Sequence, residues 1–310
     1  MAVPVILDCD PGHDDAFAIW LAAGHPNLRL LGITTVGGNG QLAQTTHNAR
    51  VVCTVAGIRD VPIAAGADSP LTRTLETAPD IHGESALDGP VLPEPEVDLD
   101  PRGAVGMLRD LLEESPEPVT VIATGPLTNI ALLLRVHPRI QPKISEIAWM
   151  GGSTGRGNVT PYAEFNSWVD PEAAAVVLAS GIPFSMVGLN VTHQALVTSE
   201  VMDRLGAVGN ATSAFALELL KFFRTSYRAS EGMDSPPLHD PVAVALVATP
   251  EVVRTVHTRL DIELHGTETV GATSVDLHNK LNRPANARVA VGLDADRFWA
   301  SVEDAIRRMR

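Results

Sequence analysis

Aspartates at positions 8, 10, 14 and 15 crowd the stretch VILDCDPGHDDAFAI, directly behind an apolar run. Carboxylates taken out of water are costly unless paired, and like charges at close range raise that cost. Their neighbours are Pro11, Gly12 and His13, with no Lys or Arg among them. Asp14 or Asp15 could cap a helix by accepting free N–H groups, and Pro11-Gly12 is an ordinary turn signal. Neither role covers all four. A hard divalent cation does, because oxygen ligands without thiolates suit Ca²⁺ or Mg²⁺ better than Zn²⁺. One histidine, His13, with no thiolate near is a poor basis for zinc. Asp240, in LHDPVAVA, could close the cation's shell, and a backbone carbonyl such as that of Thr124 could add an oxygen.

The elements that must hold these groups alternate between strand and helix. VPVILD (3–8) has the continuous apolar character of a strand buried on both faces, and helix-like DDAFAIWLAAG (14–24) follows it. LRLLGITTV (28–36), VPIAAG (61–66), VTVIATG (119–125), EIAWMGG (146–152) and IPFSMVGLN (182–190) read as further strands, with helical segments at 41–57, 127–136 and 171–181 between them. Residues 67–98 are Pro-rich and irregular. Beyond residue 195 the pattern turns helical, with 213–228 long and amphipathic. Residues 252–293 read as a few closing strands and 295–310 as a terminal helix. This βαβ repetition predicts an α/β fold: an open, mostly parallel, Rossmann-like sheet with helices on both faces. No linker or repeat divides residues 1–310, so one domain is expected. In such sheets ligands bind beyond the carboxyl ends of the strands. DCDPGHDD, TTVGGNG, ATGPLTN and WMGGSTGRGN all leave strands at that rim.

Composition excludes several partners. The 310 residues are 45% hydrophobic and 19% charged, enough for a large core. A formal net charge of -14 argues against nucleic acid and anionic membranes. Two cysteines, Cys9 and Cys53, make no disulfide framework. With no long apolar run or basic leader, a cytoplasmic protein is expected.

DCDPGHDDAFAI resembles the signature of the inosine–uridine preferring nucleoside hydrolase family. Further blocks resemble that family in order along almost the whole chain: GGN at 37–39, HGESALDG at 82–89, ATGPLTN at 123–129, MGG at 150–152, EFN at 164–166 and HDP at 239–241. The resemblance implies hydrolysis of the N-glycosidic bond of ribonucleosides around a tightly held Ca²⁺, in a homotetramer or, less securely, a dimer. It implies that Asp10, Asp15, the Thr124 carbonyl and Asp240 ligate the cation. Asp14, Asn158, Glu164 and Asn166 would hold the ribose hydroxyls, Asn39 would orient ribose and water, and Met150 would touch the sugar. His239 would lie near the base, and His82 would reach the site on a lid.

These residue types suit the chemistry. Glycoside cleavage passes through an oxocarbenium-like transition state, helped by a base on water and an acid at the leaving group. Asp10 is the candidate base and His239 the candidate acid. A pocket without Lys or Arg is expected, fitting a neutral substrate. Base recognition is expected from 222–240, where Phe223 and Tyr227 could stack on the base, with uridine and inosine favoured. Two other classes stand beside this one. A DxD pair after the first strand also marks haloacid-dehalogenase-like phosphotransferases, but those carry a Thr where this chain has Gly12, and they need a later Lys where it has only three Lys in all. The other is a non-catalytic Ca²⁺-dependent nucleoside- or sugar-binding protein, which would need neither acid nor base.

Overall fold

The computed structural model describes residues 2–310. The chain runs β1 (Val3–Cys9), α1 (His13–Gly24), β2 (Leu28–Thr35), α2 (Leu42–Ala56), β3 (Ile63–Ala65), α3 (Pro79–His82), α4 (Gly103–Glu114), β4 (Val119–Ala123) and α5 (Thr128–Val136). It continues through β5 (Ile144–Met150), α6 (Phe165–Val169), α7 (Pro171–Leu178), β6 (Phe184–Val187), α8 (Leu189–Thr192), α9 (Ser199–Gly206), α10 (Ala211–Ser230) and α11 (Asp240–Ala248). Then come β7 (Val253–Ile262), β8 (Thr273–Asp276), β9 (Ala287–Leu293) and α12 (Ala295–Arg307).

Nine strands form one sheet in the order β3-β2-β1-β4-β5-β6-β9-β7-β8. The first seven are parallel, and β7 runs antiparallel to both β9 and β8. β1 is central, as its unbroken apolar run requires, and Val5, Ile6 and Leu7 have no exposure. From β1 the chain first builds outward through β2 and β3, then returns to β4 on β1's other side. That reversal opens a crevice at the carboxyl ends of β1 and β4. Asp10 and Thr124 lie just past those two ends.

One apolar cluster packs α1, α2, α10, α11 and α12 on one face, and a second packs α4, α5 and α7 on the other. α1 is buried from His13 to Ala22, an all-round apolar helix held inside the molecule rather than an amphipathic one laid on its surface. Four helices escaped the sequence reading, among them the short α6 (Phe165–Val169) and α8 (Leu189–Thr192), which begins inside the segment 182–190 read as strand. The helix α4 fills 103–114, and the irregular stretch 67–98 contains the short helix α3, which ends on His82.

Candidate active site

The first loop is shaped by its own carboxylates. Asp15, third residue of α1, accepts the Gly12 N–H at 2.9 Å through Oδ2 and the Thr124 hydroxyl at 2.8 Å through Oδ1. Capping and site-building therefore fall to one side chain, not to rival ones. Asp10 Oδ2 accepts the Asn39 backbone N–H at 2.8 Å, while Asp10 Oδ1 is buried with no hydrogen-bond donor. The amide of Asn39 ties the loops together, donating to the Asp10 carbonyl at 3.1 Å and to Asp15 Oδ2 at 3.2 Å. Glycine is needed on both sides of Asp10. A Cβ on Gly38 would collide with its carboxylate, and one on Gly125 would sit 2.7 Å from Oδ1. The GGN and ATGP blocks are thus packing requirements of one buried aspartate.

Asp240 arrives as the first residue of α11, where the helix N-terminus favours an anion. Oxygens of Asp14, Asp15 and Asp240 lie within 4.8 Å of one another, all buried. Burial raises all three, and the neighbouring carboxylates add to it for Asp14 and Asp240: Asp14 rises to about 7, Asp15 upward, and Asp240 well above the usual carboxylate range. Burial and the Asp15 charge likewise lift Asp10 far above it. Such a cluster is stable only protonated or around a cation. An orphaned Asp10 oxygen, a carboxylate trio and an oxygen-only donor set fit a hard divalent ion. The Thr124 carbonyl accepts the Asn166 amide at 2.8 Å and keeps a second lone pair for such an ion.

Asp8 stands apart from this cluster. Its Oδ1 accepts from the Thr34 hydroxyl at 2.5 Å and from the Asn129 amide at 2.8 Å, inside the sheet, and burial raises it to about 7. A cation would balance three of the four opening aspartates; on the fourth, Asp8, the hydrogen bonds serve Oδ1 alone and Oδ2 is buried without one. Asn129 was not singled out from the sequence, although it holds Asp8, the Thr35 carbonyl and the Ala67 N–H together.

An open cleft of about 850 Å³, its solvent-filled mouth included, lies over this cluster. Asp14, Asn39, His82, Thr124, Met150, Asn158, Glu164, Asn166, Phe223, Tyr227, His239 and Asp240 all line it, so the expected residues converge. Asp10 and Asp15 are packed beneath that lining. Glu164 caps α6 and accepts N–H groups of Gly152, Asn166 and Ser167 at 2.8–3.0 Å, yet burial still raises it to about 7. Asn166 also donates to the Met150 carbonyl at 3.1 Å, which fixes the MGG turn. Asn158 is exposed at the rim, its Oδ1 accepting from the Phe165 N–H at 2.9 Å.

The far wall carries the groups expected to meet a base. His239 Nδ1 is 2.7 Å from the Thr192 hydroxyl and Nε2 is 2.9 Å from the Tyr227 hydroxyl. Burial lowers His239 to about 3 and raises Tyr227 well above 10, so both are neutral at neutral pH. The Phe223 ring meets Tyr227 edge-on at 4.7 Å and is fully buried. One expectation fails here. Arg156, in the loop after β5, lines the cleft together with His193 and Glu231, so the pocket does contain a permanent cation. Its loop folds back through the Gly157 N–H to the Pro161 carbonyl, a return with no sequence periodicity to announce it.

Residues 5–300 match the inosine-uridine preferring nucleoside hydrolase family. Over 299 residues the chain is 46% identical to the pyrimidine-specific ribonucleoside hydrolase RihA of Citrobacter koseri, with 96% of each chain covered. It is 44% identical over 308 residues to the protein of the same name from an Escherichia coli O1:K1 strain, covering 99% of each. Among solved structures it resembles a purine-preferring ribonucleoside hydrolase from Gardnerella vaginalis, with a TM-score of 0.91, 31% identity and 98% of each chain covered. An inosine-guanosine nucleoside hydrolase superposes with a TM-score of 0.88 at 30% identity over 98% of each chain. The chain belongs to the inosine-uridine preferring nucleoside hydrolase family and is an enzyme that hydrolyses ribonucleosides to free base and ribose.

Proposed function

We propose that this hydrolase acts on pyrimidine ribonucleosides in preference to purine ones, with one Ca²⁺ at the carboxylate cluster. The carrying observation is the Asp14, Asp15 and Asp240 trio at the floor of a cleft whose walls hold Glu164 and Asn166 on one side and His239 and Tyr227 on the other. Full-length relatives at 44–46% identity that are named pyrimidine-specific support the base preference.

In this reading Asp10, Asp15, Asp240 and the Thr124 carbonyl hold the ion, and Asp14, Asn158, Glu164 and Asn166 hold the ribose. Bound there, Ca²⁺ would polarise a water and grip vicinal sugar hydroxyls. Asp10 takes the water proton. Asn39 fixes the Asp10 carboxylate, Met150 backs the sugar, and His82 and Phe223 border the base. As water oxygen bonds to C1′, the glycosidic electron pair leaves with the base, whose nitrogen must gain a proton. His239 is not an imidazolium at rest. It supplies that proton as a relay: a proton from solvent enters through the Thr192 hydroxyl to Nδ1 as Nε2–H passes its own through the Tyr227 hydroxyl to the leaving nitrogen, so no group in the chain is left charged.

The test is release of free ribose from uridine, cytidine, inosine and adenosine, each with Ca²⁺ or chelator. Uridine and cytidine should lead, with chelated enzyme inactive. 2′-Deoxyuridine should be cleaved at least about a hundredfold less well, because the sugar-binding groups would lose their partners. Equal kcat/KM for uridine and deoxyuridine would refute the ribose assignment. We also read residues 1–310 as one domain, assembled as a homotetramer and located in the cytoplasm. No described helix is long and apolar enough to cross a membrane. Light scattering of a micromolar solution should give four times the 32.9 kDa chain mass, and a monomer would refute the assembly.

A further inference from the structure

The helix α2 contributes nothing to the lining of the cleft, yet two of its side chains reach the lid, the segment 78–89 that carries His82. Gln44 Nε2 donates to the Glu84 carbonyl at 2.6 Å, and Asn48 Nδ2 donates to the Ser85 carbonyl at 3.0 Å. Standing four residues apart, the two amides share one face of the helix and grip consecutive carbonyls. Asn48 does more. Its Nδ2 also donates to the Pro11 carbonyl at 3.0 Å, and the residue is only 1% exposed. Pro11 stands between Asp10 and Gly12, so this contact belongs to the first acidic loop. An amide nitrogen carries two hydrogens and a carbonyl only accepts, so both hydrogens are spent and the amide has one orientation. Among the described residues neither carbonyl has another donor.

The two segments that Asn48 joins run against each other. A Cβ on Gly12 would lie 2.5 Å from His82 Nδ1, so the backbone of the first loop passes directly beside that ring. The lid has little regular structure with which to hold such a distance. α3 is one turn of four residues, too short to be stable by itself, and the chain beyond it passes through φ +79° at Gly83 and +61° at Ala86. His13, the first residue of α1, reaches the Asp88 carbonyl at 2.8 Å and ties the lid to α1. Asn48 instead ties lid and loop together to a third element. That element is rigid: α2 has fifteen residues, and Ala49, Val51, Val52 and Cys53 are unexposed in the core. A side chain on such a helix is a more exact reference than one on a loop.

We propose that Asn48 is a positioning residue for the hydrolysis: its one amide sets the spacing between the first acidic loop and the lid, and so the place of His82 beside the carboxylate cluster. Asn48 does not line the cleft and acts only through the Pro11 and Ser85 carbonyls. Because one group serves both segments, losing it frees both, whereas losing Gln44 frees the lid alone. Giving His82 a role against sugar or base rests on the nucleoside reading above; the link between loop and lid does not.

The test is amide hydrogen exchange in Asn48→Leu, which keeps roughly the size of the side chain and removes its donors, beside Gln44→Leu. In Asn48→Leu exchange should quicken at both 10–16 and 79–90 and stay slow in β1, β4 and the buried face of α2. In Gln44→Leu it should quicken at 79–90 only. Quickening throughout the sheet, or quickening confined to 79–90 in both variants, would overturn the link. On uridine, Asn48→Leu should lose about ten- to a hundredfold in kcat/KM, the scale of a displaced site group. His82→Ala supplies the control. In that background Asn48→Leu should cost about threefold or less, because the group it positions is gone. Equal losses in the two backgrounds would mean that Asn48 only supports the fold, and would overturn the positioning role. If Asn48→Leu does not fold, Asn48→Ser, which leaves space for water at both carbonyls, takes the same measurements with the same expected outcomes. A failure of the nucleoside reading would show differently, as no ribose from the parent with the exchange pattern intact.

Discussion

A histidine lowered to about 3 cannot store the proton that a departing base needs. His239 nonetheless bridges two hydroxyls, at 2.7 and 2.9 Å, and that geometry lets a neutral ring accept on one nitrogen as it donates from the other. The relay has a distinguishing consequence. His239→Ala should lose roughly 10²–10⁴ in rate on uridine, the usual worth of general acid catalysis. Tyr227→Phe should lose nearly as much, because it cuts the same path. A riboside with a nitrophenolate leaving group needs no proton, so both variants should cleave it almost as fast as the parent. Rates on the two substrates that fall together would show that His239 and Tyr227 position the substrate instead. The same scale shows where sequence reading ends. Asp10, Asp14, Asp15 and Asp240 were legible as one acidic site because clustered carboxylates without basic neighbours are too costly to be left to turns and caps. Asp8 was not separable from them. The strand ends at Cys9, so alternation along β1 does not fix where Asp10 points relative to Asp8.

Elements were more legible than the loops between them. The continuous apolar run of β1 predicted a strand buried on both faces, and the βαβ rhythm predicted a parallel sheet with the acidic loops at its carboxyl-end rim; the crevice between β1 and β4 follows only from the strand order. The stretch 67–98 carried no period at all. Its order comes from long-range grips: the Ala67 N–H on Asn129, and the Asp88 carbonyl on His13. Arg156 was missed for the same reason, since only tertiary folding of its loop brings it to the cleft. The strained turn of the lid gives a prediction at this scale. Gly83 has φ +79°, and an added Cβ would collide with the Asp88 carboxylate, so Gly83→Ala is opposed by both backbone and packing. The turn is peripheral to the sheet, so the damage should fall on His82 and the cleft. kcat/KM on uridine should drop at least about tenfold, as when a residue supporting a site ligand is lost. Amide exchange should rise at 79–90 and stay low in β1 and β4. Exchange rising equally in the sheet would show that the turn supports the whole fold instead.

Over the whole molecule the acidic site should work against folding until a cation is bound. The chain has a net charge of -14, and it sets five carboxylates, Asp10, Asp14, Asp15, Glu164 and Asp240, under or around one cleft. Folding raises Asp14 from 3.8 and Glu164 from 4.5, each to about 7, chiefly through burial. An acid whose pKa rises on folding stabilises the fold fully below its unfolded value. That contribution is lost as pH climbs through the folded one. The window for metal-free protein therefore runs from about pH 4 to somewhat above 7. For Asp14 alone the shift is worth on the order of 4 kcal/mol, and the neighbouring carboxyls move the same way. A bound cation inverts the sign, because it holds the anions and its affinity falls as they protonate. Thermal melts at pH 5 and pH 8 should separate the two cases. Chelated protein should melt at least about 5 °C lower at pH 8 than at pH 5, given the few degrees that each kcal/mol moves in a chain of this size. Saturating Ca²⁺ should erase or reverse that difference, while Asp15→Asn, which removes one charge from the trio, should shrink it without added metal. Chelated protein that grows more stable between pH 5 and pH 8 would mean that the carboxylates are already neutralised within the chain, and the cation would lose its structural role.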